Sequence, residues 1–343
     1  MRDRILADIQ QGGPMPFDRF MEIALYDPDG FFGGPRLRSE KEGDFLTSPE
    51  VSPLFGETLA VYVEGERERI GEPFQLIEVG AGSGSLLAPL LAVAEMEAWA
   101  VEVSQAAREA LTALIPEDRV LSELPDRVRG VILANELLDN LPMALAQKID
   151  GRWRERWVGA VGDSLHFVDA EPRPEVLDWL GRYGGDVPEG GWVEAQLTAQ
   201  AWLEDALHRL DAGSVVVIDY GDTAENLVPR RRDGTLRTYR AHHLGPHPLD
   251  EPGATDITAD VNFTALIDTA EGAGASVQLR RQHDFLADLG LRGRLSELRH
   301  AELEAARFGD EMERLRLRSR KTEAETLMHP RGLGDFRVLV ARV

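Results

Sequence analysis

Two hydrophobic periods alternate along the middle of the chain. Short apolar runs at Leu76-Ile77-Glu78-Val79, Trp99-Ala100-Val101-Glu102-Val103 and Val131-Ile132-Leu133-Ala134 are separated by stretches with apolar residues at helical spacing. The pattern predicts strands near 75–79, 99–103, 119–121 and 131–135, with helices near 85–95 and 104–114. Strands that alternate with helices in this way argue a parallel sheet covered on its faces. The sheet resumes at Ser214-Val215-Val216-Val217-Ile218, at Ser276 to Arg280, and at Phe336 to Arg342.

Other segments follow different patterns. Phe17 to Tyr26 has helical spacing and stops at the turn Asp27-Pro28-Asp29-Gly30. Residues 1–70 therefore read as a helical extension ahead of a main domain at 71–343. Within that domain, Leu145 to Ile149, Arg152 to Val161 and Ser164 to Val168 read as short strands split by Asp150-Gly151 and Gly162-Asp163. They open a β-rich insertion at 145–212 that ends in an amphipathic helix near 196–210, and its hairpin part at 145–168 reads as a dimer surface or a substrate clamp. Residues 222–260 read as a long functional loop dense in Arg, His and Tyr. Val261 to Glu271 reads as a helix, and 301–327 as a long charged helical region with a solvated face.

Charge and composition narrow the partners. The 343 residues carry a net charge of −22 and no basic block, so a nucleic-acid backbone would be repelled. The absence of cysteine removes disulfides, Cys-ligated zinc and thiol catalysis. No run is long and apolar enough for a membrane span, and the N-terminus does not read as a signal peptide. The expected setting is the cytoplasm, with basic peptides or neutral small molecules as partners.

The candidate chemistry lies where the predicted strands end. After the first strand comes Gly80-Ala81-Gly82-Ser83-Gly84, a turn whose glycines let a ligand approach the backbone. A dinucleotide fingerprint would need glycine at position 85, which is Ser85. The third glycine is Gly84, and Glu78 stands two residues before the first. Glu102, near the end of the second strand, is placed to accept ribose hydroxyls, the alternative being a solvated strand-end carboxylate. Ser122 and Leu124 follow the third strand, on the adenine side. The fourth delivers Asn135, Glu136 and Asp139 to the same edge, where a plain helix cap is the structural alternative. Thr47 and Ser48 precede Pro49 and Glu50 at a fresh helix start, a well-capped end or an anion site.

Several long motifs, in order, resemble the MidA-like methyltransferases. They are Tyr26 to Phe32, Gly43 to Glu57, Glu78 to Gly84, Val101 to Ser104, Ala134 to Pro142, Ile218 to Gly221, Gly234 to Arg237 with His242, and Pro252 to Thr258. The resemblance implies a Rossmann-like class I fold, α/β with a seven-stranded, mainly parallel sheet and an antiparallel last strand. It implies S-adenosyl-L-methionine as cofactor, bound through Thr47, Ser48, Glu78, Gly80, Gly82, Gly84, Glu102, Ser122, Leu124 and Asn135. It also implies a protein arginine as acceptor, with a small-molecule O- or N-methyltransferase and an assembly chaperone as the other readings. A guanidinium is cationic and delocalised, so carboxylates must hold it. Glu136 and Asp139 are the first candidates, ahead of Asp219, Glu50, Asp44 and Asp256, with His242 as proton acceptor. The chain departs from the family pattern at Asp260 and Asn262, where histidine and aspartate are usual, and at Ser83, where arginine is common.

Overall fold

The computed structural model describes residues 1–34, 47–240 and 243–343. Seven strands form the main sheet: β1 (Gln75–Val79), β2 (Ala98–Val101), β3 (Val120–Leu121), β4 (Val128–Asn135), β5 (Leu210–Asp219), β6 (Ser276–Arg281) and β7 (Arg337–Arg342). Their order across the sheet is β6-β7-β5-β4-β1-β2-β3. Strands β1 to β5 pair in parallel, and β7 runs antiparallel between β5 and β6. The order reverses between β1 and β4, so a crevice opens beyond their C-terminal ends.

Alternate side chains of the central strands enter two cores. Leu76, Val131, Leu133 and Val216 pack against the helix Leu54–Ile70 through Phe55, Leu59 and Val63. Ile77, Ile132, Ala134 and Val217 pack against the helices Leu197–Arg209 and Phe263–Gly272. Burial on both faces explains why these strands read as continuous apolar runs.

A second, antiparallel sheet joins distant parts of the chain. Ala144–Ile149, Arg152–Val161, Ser164–Ala170 and Trp192–Ala195 are joined by Met15–Pro16, whose residues pair with Val158 and Trp157. Residues 1–70 thus divide between two layers. Phe17 and Phe20 pack with Leu145 and Val158 in the second sheet, while the helix Leu54–Ile70 covers the main one. The inserted sheet spans Ala144 to Ala195, and the helix after it belongs to the flank of the main sheet.

Three further expectations are refined. The loop at 222–260 contains a three-stranded antiparallel sheet of Arg237–Arg240, His243–Leu244 and Asp256–Thr258. The helix expected from Val261 starts at Phe263, because Val261–Asn262 pairs with Gly221–Asp222 and the Asn262 side chain accepts from the Ala265 amide. The helical region expected over 301–327 consists of two packed helices, the first starting earlier: Leu291–Phe308 and Glu311–Leu327. Gly309 in the left-handed region ends the first, and Asp310 caps the second by accepting from the Glu313 amide at 3.0 Å. Among the described residues, no helix is long and apolar enough to cross a membrane.

Candidate active site

The glycine turn leaves β1 with φ of 71° at Gly80, 52° at Gly82 and 80° at Gly84. The Gly80 N–H donates to the Val101 carbonyl at 2.9 Å, which ties the turn to the end of β2. Two more amides fix Glu102: Gly82 N–H donates to Oε2 and Ser104 N–H to Oε1, each at 2.9 Å. Each carboxylate oxygen keeps a lone pair for a ligand. A Cβ at Gly80 would lie 3.0 Å from Leu137 Cδ1. At Gly84 it would lie 2.3 Å from Leu114 Cδ1 and 3.2 Å from Leu111 Cδ2, so that glycine lets the end of the helix Gln105–Leu111 pack against the turn.

A cavity of about 440 Å³ opens beyond these strand ends. Glu78, Gly80, Gly82, Glu102, Ser122 and Leu124 line it from the β1 to β3 side, and Asn135, Glu136 and Asp139 from the end of β4. Thr47 and Glu50 contribute from the N-terminal segment, and Asp256 from the small three-stranded sheet. Gly84 and Ser48, both expected in the cofactor set, do not line it. Ser48 is fully buried behind Glu136, to whose Oε1 its N–H donates at 3.2 Å. His242 and Asp44 lie outside the described residues.

Several lining residues were not anticipated. Tyr26, Phe31 and Phe32 bring aromatic surface from the N-terminal segment, and Tyr220 does so from beyond β5. Trp202 and Asp205 come from the helix Leu197–Arg209. Arg209 fixes that wall by donating to the Leu124 carbonyl at 2.9 Å and to Asp205 Oδ2 at 2.7 Å. The amphipathic pattern located the helix, but not which turn of its polar face meets Ser122-Glu123-Leu124.

The carboxylates have distinct environments. Burial pushes Glu136 up to about 8; the nearby Asp139 charge adds to this, while the Ser48 N–H and the Asn135 amide oppose it. Glu136 also takes a left-handed φ of 49°, uncommon outside glycine, and accepts from Asn135 Nδ2 at 3.3 Å. Burial raises Asp139 too, against hydrogen bonds from Thr258 and Tyr220. Glu78 is held well above the usual carboxylate range by burial and then by the Glu102 charge. Asp219, an acceptor-binding candidate by its place in the chain, is fully buried and does not line the cavity. Its Oδ2 accepts the Leu138 and Asp139 amides at 3.0 and 3.3 Å, and its Oδ1 the Tyr220 amide at 2.9 Å. Asp219 therefore shapes the turn that carries Asp139.

The three departures from the family pattern, Ser83, Asp260 and Asn262, also lie outside the cavity lining. Asp260 pairs with Arg230 at 2.6 Å and Arg237 at 3.3 Å. Asn262 caps the helix that follows it.

Comparison with known proteins identifies the family and its cofactor. Residues 58–280 match the family model described as "Putative S-adenosyl-L-methionine-dependent methyltransferase". A Burkholderia thailandensis protein, solved bound to S-adenosyl-homocysteine, superposes over 100% of this chain and 91% of its own, with TM-score 0.86 and 30% identity. The Drosophila melanogaster relative named "Protein arginine methyltransferase NDUFAF7 homolog, mitochondrial" is 30% identical over 79% of this chain and 70% of its own length. The Homo sapiens "Protein arginine methyltransferase NDUFAF7, mitochondrial" is 29% identical over 87% and 75%. The chain belongs to this family of S-adenosyl-L-methionine-dependent methyltransferases.

The residues present suit that cofactor. Among the described residues, the buried Glu78 Oε2 and Asn135 Oδ1 have no hydrogen-bond partner. A ligand carrying an amino group and ribose hydroxyls supplies such acceptors with donors.

Proposed function

We propose that the chain methylates an arginine side chain of a protein, with Glu78, Gly80, Gly82 and Glu102 on the cofactor and Glu136 and Asp139 on the acceptor. The observation that carries this reading is that Glu136 and Asp139 line the same cavity as the glycine turn and Glu102. Aromatic rings at Tyr26, Phe31 and Phe32 line it as well, and a guanidinium favours both carboxylates and ring faces. Relatives that share most of the chain are named protein arginine methyltransferases.

S-adenosylmethionine, when bound, supplies an electrophilic methyl group on a sulfonium. The chain's own task is to desolvate and orient the nucleophilic nitrogen. Burial favours the neutral form of Glu136, so entry of a cation draws a proton off it and forms a charge-assisted pair. A guanidinium nitrogen that gains a methyl group must lose one N–H proton, and on this reading Glu136 or Asp139 receives it.

The test is labelled-methyl transfer into lysate protein, read as methylarginine after hydrolysis, for the native chain and for Glu136→Gln and Asp139→Asn. The reading expects each variant to lose about 100-fold in rate while binding S-adenosylhomocysteine within a few-fold of the native chain. Native label confined to small molecules would count against it.

A further inference from the structure

Asp139 presents its two oxygens differently. Oδ2 accepts hydroxyl hydrogen bonds from Tyr220 and from Thr258, the latter at 2.6 Å. Oδ1 is buried and, among the described residues, takes no hydrogen bond. The two donors come from separate parts of the chain. Tyr220 follows β5, where Asp219 also holds its backbone, and Thr258 ends a strand of the small sheet within 222–260.

That strand is locked to the Asp139 turn. The Ala259 N–H donates to the Asp139 carbonyl at 3.1 Å. Asn140 Nδ2 donates to Asp256 Oδ1 at 2.7 Å and to the Ile257 carbonyl at 3.1 Å. From the N-terminal side, Tyr26 donates to the Asn140 carbonyl at 3.1 Å. The backbone is therefore held independently of the two hydroxyls, which leaves them only the carboxylate to act on.

We propose that Tyr220 and Thr258 are positioning residues of methyl transfer: they pin Oδ2 of Asp139 and keep its carboxylate ionised with Oδ1 left for the acceptor. The proposal rests on the acceptor role given to Asp139 above. Two donors on one oxygen fix the rotation of the carboxyl plane. They also favour the charged form, which burial among other acids opposes. The titratable groups around Asp139 are Glu136 on its own turn, Asp219 and Tyr220 at the end of β5, Asp256 on the small sheet and Tyr26 from the N-terminal segment. Without a hydroxyl, Asp139 holds its proton to higher pH, so a lost rate returns on the alkaline side. A purely structural defect would lower the rate equally at every pH.

The experiment uses the full chain with Tyr220→Phe, Thr258→Val, Thr258→Ser and Asp139→Asn. Initial rates of labelled-methyl transfer from saturating S-adenosylmethionine into lysate protein are read as methylarginine across pH. Glu136 is also raised by burial and adjoins Asp139, so each variant is also made in a Glu136→Gln background. Tyr220→Phe and Thr258→Val are expected to move the acid limb up by about one pH unit, a tenfold change in proton affinity. Thr258→Ser should restore it, and S-adenosylhomocysteine affinity should stay unchanged in all of them. An unmoved limb, or a loss equal at every pH that Thr258→Ser does not rescue, overturns the proposal. Retention of the native rate by Asp139→Asn would instead overturn the acceptor role beneath it, whatever the hydroxyl variants do.

Discussion

Glu102 and Gly82 are joined by a 2.9 Å hydrogen bond from the Gly82 amide to Oε2, so the carboxylate at the end of β2 is held by the turn at the end of β1. Glu102→Gln presents one oxygen where the carboxylate presented two. One of the two amides at Gly82 and Ser104 then faces an NH2 group. S-adenosylhomocysteine affinity should fall by about tenfold or more, and stability by about 1–2 kcal/mol. Calorimetric titration and thermal unfolding measure the two effects separately.

Glu136 links folding to pH. Its carboxyl is raised from 4.5 to about 8, so the fold accommodates the neutral form. A raised value means that the stabilisation is fully present below pH 4.5 and is lost as pH rises through about 8. The side chain opens on the cavity and is only half-buried, so the loss should be on the order of 2 kcal/mol, less than the full shift implies. Denaturant unfolding of the ligand-free chain should show this decline over that window, and Glu136→Gln should flatten it. Equal slopes for the two proteins would rule out the assignment.

Two glycines of one turn should fail differently when replaced. Gly84 has φ of 80° and packs against Leu111 and Leu114, away from the cavity. Gly84→Ala should cost about 2 kcal/mol of stability and leave S-adenosylhomocysteine affinity within about twofold below the melting transition. Gly82 lines the cavity, and Gly82→Val should abolish that binding in a chain that still folds. Thermal shift with and without S-adenosylhomocysteine separates the two outcomes.

Local pattern carried much of this architecture. The strands buried on both faces, such as Val131 to Ala134, are continuous apolar runs, and the turn with Glu78 before three alternate glycines is compact enough to recognise in the chain. What the pattern missed depends on long-range contact. Asp219 sits at a strand end like a ligand-binding carboxylate, yet its partners are backbone amides at positions 138, 139 and 220. Trp202 reaches the cavity from a helix that Leu203 and Leu207 pack onto the sheet and that Arg209 ties to the Leu124 carbonyl. Thr258 reads as part of a loop until Arg237–Arg240 pairs beside it and brings it to Asp139.

The central claim is that one cavity holds both the methyl donor and a protein arginine. The most direct measurement is the chemical form of label transferred from methyl-labelled S-adenosylmethionine to a lysate, with Gly82→Val as the control that cannot bind the donor. The account predicts label in protein-bound methylarginine with the native chain and none with Gly82→Val. Label recovered only in small molecules, or in another side chain, would contradict it.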